Sequence, residues 1–424
     1  IPDTDRIYNY IEEKKPQRAI VVGGGFIGLE MAENLHLRGM DVAVVEMLDQ
    51  VMAPVDFDMA QILHEHMREL GIDLHLSSKV ESFEKTKQGL QATLEGGKVL
   101  EADMILLSLG VRPQTAFLKD SGLEFGPKGH LLVNDYLETN QKGIYAVGDA
   151  IEVKQFTTGQ QTAVTLAGPA NKQGRMAANN IVKDKKEKYK GSQGTSIAQV
   201  FELNVAGTGL NEKNMQAMGK EYKKDYDIAL INAKSHAQYY PGVTPMYIKA
   251  LFSLPEGKLL GCQIVGDDGV DKRIDTFATV QRLGGTIYDL KEMELAYAPP
   301  FNSAKDPMNM VGFVAENILD GLVDFVTPMH YDKEEEESII LDLREEEELL
   351  LGTMEGSRHI PLGHLREKLS ELDPEKSYVT LCSLGVRSYL GARILTQNGF
   401  KKVRVLSAGL PAWDYYHQDK REIT

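Results

Sequence analysis

The sequence predicts an α/β protein of several domains, two of which rest on parallel sheets. Three observations support this. Short apolar runs rich in Ile and Val alternate with helical patterns between residues 18 and 76. A glycine-rich segment lies between the first of these runs and the first helix. A second alternation begins at Ser338, behind an acid-rich run. Strand–helix–strand order of this kind produces a parallel sheet with right-handed connections.

Composition and charge limit the possible functions. The chain has 424 residues, 42% of them hydrophobic and 26% charged, as in soluble globular proteins, and this length suits roughly two to four domains. The net charge of −15 argues against nucleic acid or an anionic membrane as a partner. No apolar run approaches the ~20 residues of a membrane span. Cys262 and Cys382 are too few for a disulfide framework, so we expect a cytoplasmic protein.

Hydrophobic periodicity divides the chain into consecutive blocks. The first block contains predicted strands at 18–23, 41–46, 72–76 and 104–110, helices at 27–38 and 57–70, and a hairpin or meander at 80–101. A strand pair within 131–150 and a helix at 168–181 follow. The next block combines strands at 197–206, 227–232, 245–252 and 259–265 with helices near 211–218, 270–283 and 304–319. Pro328 and the acid-rich run at 333–337 then indicate a linker.

The glycine-rich segment has the form G-x-G-x-x-G. Its predicted nucleotide-binding residues are Gly23, Gly25, Phe26, Ile27 and Gly28. The first glycine permits a tight turn, the second lets the backbone approach a pyrophosphate, and the third lets helix and strand pack closely. The segment follows a strand and opens a helix, and Glu46 ends the next strand, which is the context of a dinucleotide site. Glu46 can accept hydrogen bonds from an adenosine ribose and would repel a 2′-phosphate, so we expect NADH in preference to NADPH.

Three segments resemble the two-dinucleotide flavoprotein disulfide reductases. VVGGGFIGLEMAENL at 21–35 is similar to their nicotinamide fingerprint, GVRPQT at 110–115 to the return into their flavin domain, and TNQKGIYAVGDA at 139–150 to their second flavin motif. The resemblance implies FAD and these further cofactor-binding residues: Gly110, Thr139, Gly148, Asp149 and Ala167. The family's first flavin half and its redox cysteine are not in this sequence, which also lacks an initiator Met, so we expect the later part of a longer reductase.

Two tyrosines narrow the resemblance. Tyr297, in ELAYAPPFNSAKDPMNM at 294–310, stands where many members of the family carry a His base. This departure resembles the coenzyme A disulfide reductase branch and the related NADH-dependent persulfide reductases, and SHAQYYPG at 235–242 supplies the second matching tyrosine, Tyr239. Because a phenol can donate a hydrogen bond to a thiolate or protonate a leaving thiol, both are candidate catalytic residues, with interface packing as the alternative. The resemblance also implies a homodimer and contacts with coenzyme A from Asn171, Tyr239 and Lys305.

The last block resembles a rhodanese domain. IILDLREEEE at 339–348, SRHIPLGHL at 357–365 and the closing segment with Trp413 are similar to its motifs. In YVTLCSLGVRS at 378–388, Cys382 heads a short loop before a helix, where backbone N–H groups, the helix dipole and Arg387 favour a thiolate. Such a thiolate can hold sulfane sulfur as a persulfide. The loop from Cys382 to Arg387 is one residue shorter than that of cysteine phosphatases, which suits sulfur better than phosphate. The alternative is a structural cysteine in an inactive domain.

Together these features predict an α/β, Rossmann-like flavoprotein reductase that lacks its N-terminal flavin segment and carries an α+β dimerisation domain and an α/β rhodanese domain. The predicted segments are 1–118 (NAD-binding), 119–190 (second half of the FAD-binding domain), 191–325 (dimerisation), 326–337 (linker) and 338–424 (rhodanese). The expected activity is FAD- and NAD(P)H-dependent reduction of coenzyme A disulfide, coenzyme A persulfide or polysulfide, with no metal. Two alternatives stay open: an NADH oxidase or peroxidase, and a non-catalytic sulfur carrier or docking module.

Overall fold

The structure is a computed structural model that describes residues 2–87, 89–183, 187–332 and 337–423, with side chains up to residue 417. The acid-rich run at 333–337 lies outside these residues except for its last position. Across the part of the chain that the structure describes, no helix has both the length and the apolar character needed to cross a membrane.

A parallel sheet and an antiparallel meander form the first part of the fold. Their elements are α1 (Pro2–Lys14), β1 (Arg18–Val22), α2 (Phe26–Leu37), β2 (Asp41–Val45), α3 (Phe57–Glu69), β3 (Asp73–His75), β4 (Val80–Lys85), β5 (Leu90–Leu94), β6 (Val99–Ala102) and β7 (Met104–Leu107). The parallel sheet has the order β3–β2–β1–β7, and β4–β5–β6 form the meander. On β1, Val21 packs with the core of α2 and α3, whereas Ile20 packs with the meander. Because both faces are covered, the strand is apolar from Ala19 to Val22, as the sequence predicts.

A short sheet and one long helix form the second part. The elements are β8 (Leu131–Leu132), β9 (Ile151–Lys154), β10 (Gln161–Ala163) and α4 (Ala167–Val182). The strand pair predicted within 131–150 is only partly present, because β8 is followed by a single isolated bridge between Glu138 and Tyr145. The Asn134 side chain accepts the N–H groups of Tyr136 and Glu138 and so holds this stretch in a turn.

The third part is the expected α+β block. Its elements are β11 (Ser196–Val200), β12 (Leu203–Gly209), α5 (Glu212–Ala217), β13 (Tyr226–Lys234), β14 (Pro245–Ser253), β15 (Leu259–Gly266), α6 (Val270–Arg282), α7 (Ile287–Glu292) and α8 (Pro307–Leu319). The strands form an antiparallel sheet in the order β11–β12–β15–β14–β13. The single strand predicted at 197–206 is wrong. The chain reverses at Phe201, whose φ is 56° and whose N–H donates to Glu33 of α2 at 2.9 Å.

The fourth part is a second parallel sheet. Its elements are β16 (Asp324–Val326), β17 (Ser338–Asp342), β18 (Arg358–His359), β19 (Ser377–Leu381), α9 (Val386–Gln397), β20 (Lys402–Leu406) and α10 (Gly409–Ile423). The strand order is β16–β20–β19–β17–β18. The sequence interpretation placed residue 325 in the preceding domain and residue 326 in a linker, but β16 pairs with β20 in this last sheet. A strand of three residues carries too little periodicity to be recognised from sequence.

Aromatic contacts connect the last part of the fold to the earlier ones. Tyr416 of α10 packs edge-on against Phe57 of α3, with ring centroids 6.0 Å apart. Its neighbour Tyr415 packs in the same way against Tyr247 of β14 at 5.7 Å. The closing helix therefore contacts both the dinucleotide-type sheet domain and the antiparallel sheet.

A buried ionic cluster lies where these parts meet, and we call it the Lys249 cluster. The fully buried ammonium of Lys249 lies 2.8 Å from Asp58, 2.7 Å from Glu212 and 3.2 Å from Asp56. His330, which lies between β16 and β17 of the last sheet, approaches Glu212 at 3.3 Å. Asp56 and Asp58 belong to the start of α3, Glu212 to α5 and Lys249 to β14. One cation thus connects groups from the first and third parts, and His330 extends the contacts toward the fourth.

The environment of the Lys249 cluster shifts its carboxyl groups in opposite directions. Burial, opposed by Lys249, raises the pKa of Asp58 above its ordinary value. Burial also disfavours ionised Glu212, but Lys249 and His330 outweigh it and hold the pKa of Glu212 at about 2. Burial of unpaired carboxylates is strongly unfavourable, so the cluster depends on its cation.

We expect Lys249→Met to destabilise the fold by about 3–5 kcal/mol, because it leaves buried carboxylates without their cation. Urea unfolding followed by circular dichroism measures the loss. Lys154→Met is the matched control, since Lys154 pairs with Asp135 at 2.7 Å in an exposed position and such pairs contribute about 0–1 kcal/mol. Similar losses in the two variants would contradict the role given to the Lys249 cluster.

Candidate functional site

Two glycines of the G-x-G-x-x-G loop are required by close backbone contacts. Gly23 has φ 111°, and a Cβ there would lie 2.2 Å from the carbonyl oxygen of Ser108 on the neighbouring chain segment. A Cβ on Gly28 would lie 1.8 Å from the carbonyl oxygen of Gly23. A side chain at either position would therefore displace the backbone that joins β1 to α2.

Gly25 differs, because a Cβ there would meet nothing within 4 Å. It is the N-cap of α2, no side chain caps that end, and Phe26 and Ile27 form the first helical turn. The amide groups of this turn are thus open to an external anion, to which a helix N-terminus is suited. Glu46 follows β2 and accepts the N–H groups of Gly24 at 2.6 Å and Leu48 at 2.9 Å, so its carboxylate also fixes the loop. These residues fit a dinucleotide pyrophosphate.

Several residues expected to contact flavin gather at the N-terminal end of α4. Gly148, with φ 72°, and the exposed Asp149 form a short 3-10 turn, and the Gly148 N–H donates to Gln173 of α4 at 2.8 Å. Ala167 begins α4 without a side-chain cap. Asn171 lies one turn later, exposed, and donates to the Ala167 carbonyl at 2.9 Å. An uncapped helix end beside an exposed carboxylate fits a phosphate and hydroxyl-bearing group.

The other two expected flavin residues lie elsewhere. Gly110 is exposed in the loop after β7 and has φ 86°. Thr139 is buried, and its hydroxyl donates to the Gln141 carbonyl at 3.2 Å. The Thr139 hydroxyl therefore forms a hydrogen bond within its own turn. Its contact with the flavin stays a prediction.

The two tyrosines come together although they lie far apart in sequence. The hydroxyls of Tyr239 and Tyr297 are 3.2 Å apart, and both side chains are exposed. The hydrogen bond to Tyr297 raises the pKa of Tyr239 above its ordinary value. The Tyr239 phenol is therefore protonated at neutral pH and available as a hydrogen-bond donor. Lys305 is exposed later in the same loop as Tyr297.

A buried arginine that the sequence interpretation missed holds the two tyrosine loops. Arg273 of α6 donates to the Ser235 carbonyl and to the Asn302 side chain, each at 2.9 Å. Asn302 in turn donates to the Ala296 carbonyl at 3.1 Å. His236 is buried and bonded to Ser235 and to the backbone of its own loop, so its role is structural, as expected. Arg273 gave no signal in the sequence because Ser235 and Asn302 lie in two loops that are distant from it along the chain.

The Cys382 loop has the geometry of a thiol cradle. Cys382 follows β19, is 1% exposed, and its sulfur accepts the Gly385 N–H at 3.1 Å. Gly385 has φ 108° and precedes α9, whose N-terminus therefore begins beside the thiol. A Cβ on Gly409 would lie 2.5 Å from the carbonyl oxygens of Cys382 and Ser383, so this glycine permits the close approach of α10. Cys262, by contrast, is fully buried in β15, and burial raises the pKa of its thiol.

Arg387 has a partner that the sequence interpretation did not anticipate. Its guanidinium makes two hydrogen bonds to Glu348, at 2.5 and 2.6 Å, and a third to the Ser383 hydroxyl at 3.1 Å. The Arg387 hydrogen bonds hold the pKa of Glu348 at about 2. The positive charge expected near Cys382 is therefore largely neutralised. Glu348 is the last of four consecutive glutamates that follow the Asp342-Leu343-Arg344 motif, so the sequence alone does not distinguish it from its neighbours.

The fold and these sites define a dinucleotide-binding oxidoreductase joined to a second parallel-sheet domain that has its own cysteine loop. Sequence profiles support this: the pyridine nucleotide-disulphide oxidoreductase profile matches residues 3–174, its dimerisation-domain profile matches 195–308, and the rhodanese-like profile matches 329–415. The chain belongs to the pyridine nucleotide-disulphide oxidoreductase family, whose cofactors are FAD and a nicotinamide dinucleotide.

Relatives and solved structures agree with this assignment. A coenzyme A disulfide reductase of Staphylococcus epidermidis is 32% identical over 74% of this chain and 70% of its own. An NADH oxidase of Methanocaldococcus jannaschii is 36% identical over 73% of this chain and 68% of its own. The reduced Bacillus anthracis CoADR-RHD structure has a TM-score of 0.94 at 45% identity, covering 98% of this chain and 74% of that one. An NAD-dependent persulfide reductase from A. fulgidus has a TM-score of 0.88 at 34% identity, covering 96% and 74%.

We expect Gly25→Val to abolish NADH binding without unfolding the protein. The new side chain meets nothing within 4 Å in the protein, so it would occupy the space of the pyrophosphate. Titration of NADH by calorimetry measures the affinity, and we expect a loss of at least about 100-fold. Gly363→Val is the control, because Gly363 also has open space around it and lies in the last domain. Unchanged NADH affinity in Gly25→Val would contradict the assignment of this loop.

Proposed function

We propose that this chain is the nicotinamide, dimerisation and rhodanese portion of a reductase for coenzyme A disulfide, coenzyme A persulfide or polysulfide. The observation that carries the proposal is the pair of phenol hydroxyls of Tyr239 and Tyr297, 3.2 Å apart and exposed. The likeness to proteins named coenzyme A disulfide reductase and persulfide reductase supports the same substrate class. The two free cysteines suit a reducing compartment such as the cytoplasm.

The tyrosine pair acts on the leaving sulfur. When the S–S bond of the substrate breaks, the departing thiolate accepts a hydrogen bond or a proton from a phenol. The second tyrosine stabilises the first through their shared hydrogen bond, and the buried Arg273 fixes the loops that present them. Asn171 and Lys305, both exposed, contact the amide and phosphate groups of coenzyme A. The dimerisation domain brings a second copy of the chain against this one to form a homodimer.

The cofactor-binding residues hold the groups that supply electrons for the reduction. Bound FAD and NADH supply the electrons for the reduction. The first turn of α2, with Gly25 at its N-cap, holds the nicotinamide dinucleotide, and Glu46 favours NADH over NADPH because its carboxylate repels a 2′-phosphate. Gly148, Asp149 and the N-terminus of α4 hold part of the flavin.

Cys382 handles sulfane sulfur in the rhodanese domain. Its thiolate attacks the outer sulfur of an organic persulfide, the S–S bond of the donor breaks, and the donor leaves as a thiolate while Cys382 becomes a persulfide. The Gly385 N–H and the N-terminus of α9 stabilise negative charge on the sulfur.

An NADH oxidase is the second candidate, because a relative of that name is 36% identical. The cysteine loop of the rhodanese domain favours the sulfur reductase, since reduction of oxygen has no use for a second thiol. Oxygen consumption by the flavin-loaded protein, with and without coenzyme A disulfide, distinguishes the two activities.

We expect Tyr239→Phe and Tyr297→Phe each to lower kcat for coenzyme A disulfide, and the double variant to lower it by about 100-fold, because the leaving thiolate loses its proton donor. NADH oxidation by the flavin-loaded protein measures the rate. Tyr240→Phe is the control, since Tyr240 is the next phenol in the same loop but packs against His236. Wild-type turnover in the double variant would overturn the proposed role of the pair.

We expect Cys382→Ser to stop the protein from acquiring a sulfur atom when it is mixed with an organic persulfide, because the nucleophile is removed. Intact-protein mass spectrometry detects the added sulfur. Cys262→Ala should still acquire the sulfur atom. Burial in β15 raises the pKa of the Cys262 thiol, which disfavours the nucleophilic thiolate. A wild-type protein that acquires no sulfur would contradict the proposed chemistry of this domain.

A further inference from the structure

The charge at the opening of the Cys382 loop is set by the ion pair of Glu348 with Arg387, to which Ser383 adds a further hydrogen bond. Glu348 accepts two hydrogen bonds from Arg387, at 2.5 and 2.6 Å, and one from the Ser383 hydroxyl at 2.6 Å. All donors to this carboxylate from the loop lie within five residues of the catalytic cysteine in sequence. We call this arrangement the Glu348 clasp.

The Glu348 clasp is held in place from behind. Arg344 forms a bidentate pair with Asp342 in the core, and both side chains are at most 3% exposed. The same guanidinium donates to the Glu348 carbonyl at 3.2 Å and to the Gly352 carbonyl at 2.9 Å, which fixes the short 3-10 segment Glu346–Leu351. Because Arg344 fixes the backbone at Glu348 and at Gly352, the Glu348 carboxylate is positioned before any substrate arrives.

The segments around the loop favour an organic substrate over a small dianion. In the fully described segments 342–352 and 382–388, the cations are Arg344 and Arg387, and each is paired with a carboxylate. Exposed apolar side chains flank the clasp: Leu350 and Leu351 are 89% and 86% exposed, and Val386 is 56% exposed. An anion reaching Cys382 therefore meets a neutralised guanidinium, carboxylates and apolar groups.

We propose that Glu348 determines which sulfur donor the rhodanese domain accepts, by neutralising Arg387 and so disfavouring thiosulfate relative to organic persulfides. The inference rests on the proposed persulfide chemistry of Cys382. With thiosulfate, the Cys382 thiolate takes the outer sulfur, the S–S bond breaks, and sulfite leaves as a dianion that needs a free cation. With an organic persulfide, the same attack releases a single thiolate. Glu348 is a positioning residue, because it acts on the donor through Arg387. A site that offers no free cation discriminates against the ligand that needs one.

The test measures the rate at which Cys382 acquires sulfur from thiosulfate and from glutathione persulfide, in single turnovers of the flavin-loaded protein followed by mass spectrometry. We expect Glu348→Gln to raise the rate constant for thiosulfate by about ten-fold and to change that for the persulfide by less than about two-fold. In this variant the thiosulfate rate should also fall with added salt, because Arg387 now attracts the dianion.

Two further variants separate specificity from structural damage. Glu371→Gln breaks the exposed Arg358–Glu371 pair of the same domain, 2.9 Å apart, and should leave the ratio of the two rates unchanged. Glu348→Ala removes the clasp entirely and should shift the ratio in the same direction as Glu348→Gln. If either Glu348 variant lowers both rates together, or if Glu348→Gln leaves their ratio unchanged, the inference is overturned. If the wild-type Cys382 accepts sulfur from neither donor, the proposed function fails instead.

Discussion

Lys249 is the interaction on which the arrangement of the domains depends. Its buried ammonium compensates carboxylates at the start of α3 and on α5. Without it, the dinucleotide-type domain and the antiparallel sheet would enclose uncompensated negative charge. His330, between β16 and β17, lies 3.3 Å from Glu212, so the last domain also reaches this cluster. The α10 helix packs on α3 and β14 through Tyr416 and Tyr415. Their partners, Phe57 and Tyr247, lie close to Asp58 and Lys249 of this cluster in sequence. Polar and apolar contacts thus connect both sulfur-handling regions to the dinucleotide domain.

The sequence predicted those features whose cause is local. Gly28 of the nucleotide loop is required by a close backbone contact with Gly23 inside one strand–turn–helix unit, and the Cys382 loop belongs to another such unit. The turn at Phe201 was missed because the cause is Glu33, which lies far away in sequence on α2. β16 was missed because a three-residue strand is defined by its partner β20 rather than by its own pattern. Tyr239 and Tyr297 were found through family resemblance, and composition gave no reason to pair them. Arg273, which holds their loops, was missed because its partners Ser235 and Asn302 are distant from it in sequence.

Glu348 shows how an acidic run can conceal one residue with a specific role. Glu345, Glu346 and Glu347 are exposed, as the pattern indicates. The fourth carboxylate turns inward because Arg344 fixes the backbone of the 3-10 segment and Arg387 supplies the donors. Sequence periodicity cannot separate these four residues, since a 3-10 turn is short and the partner lies on another element. The pairing compensates the charge of the cation expected beside Cys382, whose sulfur accepts the Gly385 N–H.

The two proposed sulfur sites both present neutral hydrogen-bond donors to the sulfur. At the tyrosine pair, the proposed hydrogen-bond donors to the leaving sulfur are phenols, and the pKa of Tyr239 is raised by its hydrogen bond to Tyr297. At the Cys382 loop, the Gly385 N–H donates to the sulfur, and the Arg387 guanidinium is paired with Glu348. Neutral donors stabilise a thiolate by hydrogen bonding and attract a free inorganic dianion far less than an unpaired cation does. A carbon-bound sulfur substrate, whose remaining surface also contacts the apolar side chains near the loop, suits both sites.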